Sequence, residues 1–211
     1  MKKIVIGLLF SFLGLFAFAE KSTGYIGGHF SVPIIFESTE ESGIKTESRM
    51  TSIGFGLDEV GLTSERLGIY LNLELILPMK INLKIKSGSD TYNFEVERSD
   101  YNSLFGFNAF VGPTFCLYNE GSFLFAVSPG ASFVMLFSET ASTDTTSILF
   151  GIGANVQGGI NINEKFCISI GADFAYDFLG FSKVNNGDFS SSKGRNFIIT
   201  PKIGIGYKPN K

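Results

Sequence analysis

The chain has no tryptophan, one histidine, two cysteines and six prolines in 211 residues. Two cysteines cannot build a disulfide scaffold. One histidine leaves any nucleophilic triad with a single candidate base, His29. Positive charge is also scarce, with a formal net charge of −3. With that balance no nucleic-acid partner is expected. No apolar run reaches the roughly 20 residues of a membrane-spanning helix. Beyond residue 20 no segment sustains helical spacing of its apolar residues. What is abundant is glycine, 25 residues, and phenylalanine, 23 residues. Few prolines with many glycines and phenylalanines fit neither a disordered chain nor a helical one.

The N-terminus reads as an export signal. Lys2 and Lys3 form a short positive region, Ile4 to Phe16 is apolar, and Ala17-Phe18-Ala19 gives the small-x-small cleavage pattern. Cleavage is expected before Glu20. The cleavage region has no cysteine, so a lipid-anchored lipoprotein is not expected. The expected organisation is a signal peptide over 1–19 and one barrel domain over 20–211. Without Lys2 and Lys3, 15 basic residues face 20 acidic ones.

The dominant period is two. Leu67, Ile69, Leu71, Leu73, Leu75 and Leu77 alternate with Gly68, Tyr70, Asn72, Glu74 and Ile76. Such a series puts six apolar residues on one face of a strand. The same alternation runs through 105–117, 166–178 and 197–207. Eight strands are expected, at 23–36, 49–57, 66–78, 101–118, 122–138, 147–161, 166–180 and 196–207. The connections alternate in length. Three are short, at 58–65, 119–121 and 162–165. Four are long and polar, at 37–48, 79–100, 139–146 and 181–195. An even number of antiparallel strands, short turns on one side and long loops on the other is the pattern of an outer-membrane barrel. The fold class is therefore all-β: an eight-stranded antiparallel up-and-down transmembrane β-barrel.

The two faces differ in size as well as polarity. The polar face carries Gly27, Gly54, Gly56, Gly106, Gly112, Gly130, Gly151, Gly153, Gly159, Gly171, Gly204 and Gly206. Small residues suit the narrow lumen of an eight-stranded barrel. The apolar face is rich in phenylalanine, which suits lipid. Phe36, Phe105, Phe137, Phe150, Phe178 and Phe197 fall at the loop ends. Phe115, Phe123, Phe166 and Tyr207 fall at the turn ends, giving two girdles.

The expected lumen network is Tyr25, His29, Tyr70, Glu74, Asn108, Asn155, Gln157, Asp173, Asp177 and Lys202. Charges taken out of water must be paired or hydrated, and Glu74, Asp173 and Asp177 face Lys202 in this set. Catalysis by His29 would need a nucleophile and an orienting carboxylate, and no such set stands out. Asp173 and Asp177 lie four strand residues apart, about 13 Å, too far to act as a catalytic pair. Gly151-Ile152-Gly153-Ala154-Asn155-Val156-Gln157-Gly158 has glycine spacing without the strand-turn-helix unit of a dinucleotide site. Asp90, Asp144 and Asp188 lack calcium-loop spacing. No cofactor, metal site or catalytic residue is expected. Cys116 and Cys167 are expected inside, three strands apart, beyond the roughly 7 Å between Cα atoms that a disulfide allows. The 79–100 segment alternates too, through Ile81, Leu83, Ile85, Tyr92, Phe94 and Val96, and is expected to extend its two strands as a hairpin.

With its signal peptide, eight alternating strands and terminal strand Phe197–Tyr207, the chain resembles the small outer-membrane barrels of the OmpX, OmpA-barrel and OmpW type. Its Gly- and Phe-rich strands and short tail also resemble small spirochaetal barrels. The resemblance implies outer-membrane lipid and the barrel-assembly machinery as partners, with Tyr207 as the candidate assembly signal. Lys208-Pro209-Asn210-Lys211 follow it. Three functions are compatible with the sequence. The first is a non-enzymatic surface protein that meets an external ligand or host protein through its loops. The second is an OmpW-like narrow channel for small hydrophobic molecules, supported by the inward residues Phe110, Leu124, Val134, Leu136 and Leu149. The third is a soluble lipocalin-like carrier with its faces reversed.

Overall fold

A computed structural model describes residues 24–208 except 42, 65, 186 and 193. The expected signal peptide lies outside the described residues. The strands are β1 (Tyr25–Ser31), β2 (Ile34–Glu41), β3 (Ile44–Leu62), β4 (Leu67–Ser87), β5 (Asp90–Glu97), β6 (Ser103–Glu120), β7 (Phe123–Glu139), β8 (Asp144–Asn161), β9 (Phe166–Val184), β10 (Ser190–Ser192) and β11 (Arg195–Tyr207). Every pairing between them is antiparallel. β11 pairs with β9 on one side and with β1 and β2 on the other, which closes the ring. The result is an eight-stranded barrel in which β1 and β2 serve as one broken strand. β5 and β10 add to β4 and β9 outside the ring.

The break is the work of proline. Pro33 has no N–H to give the ladder, so the pairing steps around it. The Val32 N–H donates to the Pro201 carbonyl at 3.0 Å, and the Ser52 N–H donates to the Pro33 carbonyl at 2.9 Å. A single strand over 23–36 is therefore corrected to two.

The strands are longer than the sequence pattern suggests. The expected loop at 37–48 is the β2–β3 hairpin, paired from Glu37↔Ser48 to Glu41↔Ile44. The expected loop at 181–195 is shortened by β9, which runs to Val184, and by β10, which folds back on it. At the opposite end, β3 continues to Leu62, so the expected turn at 58–65 contracts to the residues between Leu62 and Leu67. Ser, Thr, Glu and Lys are compatible with strands in water, because the ladder satisfies the backbone wherever the side chains point. Hydropathy marks only the membrane-facing part of such a strand. The β4–β5 hairpin occurs as expected, and Gly43 and Gly88 take φ of +79° and +61° at the two hairpin turns.

The faces are sorted as a membrane barrel requires. Phe55, Leu57, Ile69, Phe107, Val111, Phe115, Ile152, Ile170, Phe174, Ile203 and Ile205 are exposed on the outside. Lys202, Asp173, Asp58, Glu74, Asn72, Asn155 and Gln157 are buried inside. A soluble carrier would show the reverse, with charge outside. Paired rings mark both ends of the lipid face. Phe105 stacks on Phe137 with centroids 5.0 Å apart, and Phe133 meets Phe150 at 5.0 Å. At the turn end Phe166 meets Tyr207 at 5.8 Å.

Candidate functional site

Alternation brings one residue in two from every ring strand into the lumen. Asp173 of β9 is the hub of one group. Lys202 of β11 places its Nζ 2.9 Å and 3.0 Å from the two Asp173 oxygens. Asn155 Nδ2 donates to Oδ1 at 2.7 Å, and Asn72 Nδ2 donates to Oδ2 at 3.0 Å. Lys202 also donates to the Tyr70 hydroxyl, and its ammonium lies 4.7 Å from the Tyr70 ring centroid. Four strands thus converge on one carboxylate. Charge-assisted hydrogen bonds are stronger than neutral ones, and this set offsets part of the cost of burying the ion pair.

A second group forms around His29 of β1. Its Nδ1 lies 3.8 Å from Asp58 Oδ1 and its Nε2 lies 3.8 Å from Glu74 Oε1. Glu74 accepts from the Ser31 hydroxyl and, at 3.1 Å, from Asn108 Nδ2. Asp58 Oδ2 accepts from Gln157 Nε2 at 2.6 Å, and the same Nε2 donates to the Tyr25 hydroxyl. Asp177 stands apart from both groups, accepting from the Ser132 hydroxyl at 2.5 Å. Glycine makes room for this crowding. A side chain at Gly54 would collide with Glu74 and Ser31, and one at Gly56 would collide with the His29 ring.

The ten residues expected in the lumen are all buried there. Three further members were not singled out: Ser31, Asn72 and Asp58. Asp58 was assigned to a turn, although Gly54, Gly56, Asp58, Val60 and Leu62 continue one face of β3. That unbroken alternation was the available signal. Ser31, the nearby hydroxyl, donates to Glu74, and neither ring nitrogen of His29 has a hydrogen-bond partner among the described residues. Nor do the described residues hold any group of three or more His, Cys, Asp or Glu placed to bind a metal.

Apolar layers lie on both sides of the polar one. Toward the turns, Tyr25, Val60, Leu62, Tyr70, Phe110, Leu124 and Ala126 pack with the free, buried Cys116 and Cys167. Toward the loops, Ile76, Val134, Ala175 and Ile198 pack with Ile35, Met50 and Leu149. Above them is a cavity of about 280 Å³ lined by Ile35, Met50, Ile81, Leu104, Leu136 and Leu149. Its rim includes Glu37, Ser48, Ser138, Ser147 and Asn196.

No protein-family model matches the chain. No curated protein matches it. Solved structures do. The outer membrane protein OprG from Pseudomonas aeruginosa aligns with a TM-score of 0.59 at 12% identity, over 90% of this chain and 98% of that one. Neisserial surface protein A (NspA) aligns with a TM-score of 0.53 at 10% identity, over 89% of this chain and 98% of that one. At such identities the likeness is one of fold, and the fold is that of the small outer-membrane β-barrels. Together with the apolar belt, it makes this chain an eight-stranded barrel of the outer membrane.

Proposed function

We propose that the protein is a non-enzymatic surface barrel, with a plugged membrane scaffold and with recognition carried by the sheets beyond the membrane. One observation carries this reading: the middle of the lumen is filled. Lys202, Asp173, Tyr70, Asn72 and Asn155 are each 5% exposed or less and engage one another across the ring, and Glu74 and Asp58 are as deeply buried on either side of His29. On this reading the network closes the lumen to water. Beyond it, β2, β3, β4 and β5 continue as a four-stranded sheet. Tyr92 and Phe94 of β5 are exposed on it. Long projecting segments on a rigid scaffold are where binding functions concentrate, so an external ligand or host protein would be met there. Assembly is proposed to use Tyr207, whose backbone pairs with Ile26 and Phe166 where the ring closes.

The test has two arms. Refolded protein in a planar bilayer should give no steady ionic conductance, and porin-sized openings would sink the plug. Epitope tags at Gly88 and Ser142 should be reached by antibody on intact cells, and one at Gly121 should not. Labelling at Gly121 alone would invert the topology and remove the surface reading.

The apolar cavity above the plug favours a second reading, an OmpW-like intake of small hydrophobic molecules. A naphthylamine dye titrated into the refolded barrel should then bind and lose binding in Leu136→Glu. Equal binding by that variant would remove the cavity from consideration.

A further inference from the structure

The outward face of the β2–β5 sheet is sorted by charge in a way that neither plugging nor loop recognition needs. Pairing places Lys45, Arg49, Lys80, Lys84 and Lys86 on the outside of this sheet, the side continuous with the lipid face, with Arg195 of β11 beside them. The opposite face carries no lysine or arginine among the described residues of β2–β5; its Ile81, Leu83, Ile85, Tyr92, Phe94 and Val96 are apolar.

Two adjoining rows can be followed across the strands. The first runs Tyr176, Phe197, Phe36, Arg49, Asn82, Glu95. The second, one step nearer the loop tips, runs Arg195, Ser38, Glu47, Lys84, Asn93. A groove of about 830 Å³ lies over both rows. At its lower edge are two rings of the loop-end girdle, Phe36 and Phe197, with Tyr176 paired beside Phe197. Arg49, Lys84 and Arg195 also line it.

Of the carboxylates that line the groove, Glu47 and Glu95 are already engaged, and Glu37 belongs with Ser48 to the opposite face. Glu47 pairs with Lys45 at 2.6 Å and with Lys86 at 3.4 Å, and Glu95 pairs with Lys80 at 2.7 Å. Those two lysines hold the Glu47 carboxyl below its usual range. Arg49, Lys84 and Arg195 have no carboxylate within ion-pair distance among the described residues; Arg49 instead lies 5.8 Å from the Phe36 ring centroid. Three cations thus remain free in a chain whose overall charge is negative, beside aromatic rings at the membrane boundary.

We propose that this groove binds the headgroup phosphate of an outer-leaflet lipid, with Arg49, Lys84 and Arg195 as the phosphate ligands and Phe36, Phe197 and Tyr176 against the upper acyl chains. Arginine suits the role because its planar fork matches phosphate geometry, and lysine adds a point charge. The location argues for lipid over a soluble anion. The aromatic row belongs to the lipid-facing girdle, so any lipid packed on it brings its headgroup to the second row. Basic side chains flanking a membrane attract anionic headgroups in this way.

The experiment uses refolded barrel in neutral detergent and, as probe, a diphosphorylated glycolipid of the lipid A type, read by native mass spectrometry. The wild type should retain the lipid. The triple variant Arg49→Gln, Lys84→Gln, Arg195→Gln should lose at least tenfold in affinity while keeping its heat-modifiable gel shift. The dephosphorylated glycolipid should bind wild type and triple variant alike, and weakly. A control with Lys165→Gln and Lys208→Gln, at the turn end, should bind as the wild type does. Three results would overturn the proposal: full affinity in the triple variant, an equal loss in the turn-end control, or full displacement by millimolar inorganic phosphate. None of them bears on whether the lumen is plugged, so this inference can fail without the functional reading failing.

Discussion

Replacing Lys202 with methionine is expected to destabilise the detergent-refolded barrel by about 3–5 kcal/mol, the usual cost of removing one partner from a buried ion pair. The reason is what stays behind. Asp173 keeps Asn72, Asn155 and, at 3.5 Å, the Tyr70 hydroxyl as donors, but neutral donors cannot neutralise a carboxylate shut away from water. Tyr70 would lose its cation as well. The penalty belongs to the orphaned charge and not to the net worth of the pair. Lys202→Met combined with Asp173→Asn should therefore recover most of the loss, because exchanging a whole buried pair for neutral groups is often close to neutral. Urea titration of the single and double variants measures both. A single variant within 1 kcal/mol of wild type would mean that water reaches Asp173, and the plugged lumen would be abandoned with it.

That experiment depends on residues that the sequence placed well. Alternation alone assigned Lys202, Asp173, Tyr70 and Asn155 to one face, because a period of two is a steric property of the strand and survives in any environment. It could not say that Asp173 is the hub and Asp177 stands apart, since cross-strand register decides which inward residues share a level. Register also moves where the ladder has irregularities, at Thr51/Ser52, Cys116/Tyr118 and Phe150/Gly151. Neither Thr51/Ser52 nor Cys116/Tyr118 contains a glycine to mark it. Loop lengths are hard to read from the sequence for a related reason. The 37–48 segment is polar on both faces, so the apolar stripe that signals a strand is missing, yet 37–41 pair residue by residue with 44–48 of β3. The basic face that carries the lipid proposal was hidden with it, because sidedness has no meaning until a segment is known to be a strand.

The lipid face offers the second large effect. Ile152 of β8 is 62% exposed and sits in mid-strand, opposite Ala131 on one neighbour and Tyr176 on the other. Arginine there must either sit in hydrocarbon or stretch its side chain toward a headgroup. In a membrane barrel that costs up to about 2–4 kcal/mol at mid-membrane and less toward the girdle. Leu71 is a poorer probe, although alternation puts it on the same face. It is only 6% exposed, and its partner in β3 is Glu59, so an arginine at 71 would find a carboxylate opposite. No acid is paired with Ile152 on either neighbouring strand. Ser142, between β7 and β8, is the aqueous reference. Ile152→Arg should lower the unfolding free energy in lipid vesicles by the stated amount, and Ser142→Arg should leave it within about 0.5 kcal/mol. The penalty should also depend on bilayer thickness, shrinking in short-chain lipid, where the guanidinium reaches the headgroups sooner. Equal stability of the two variants, in thick and thin bilayers alike, would mean that Ile152 does not face lipid.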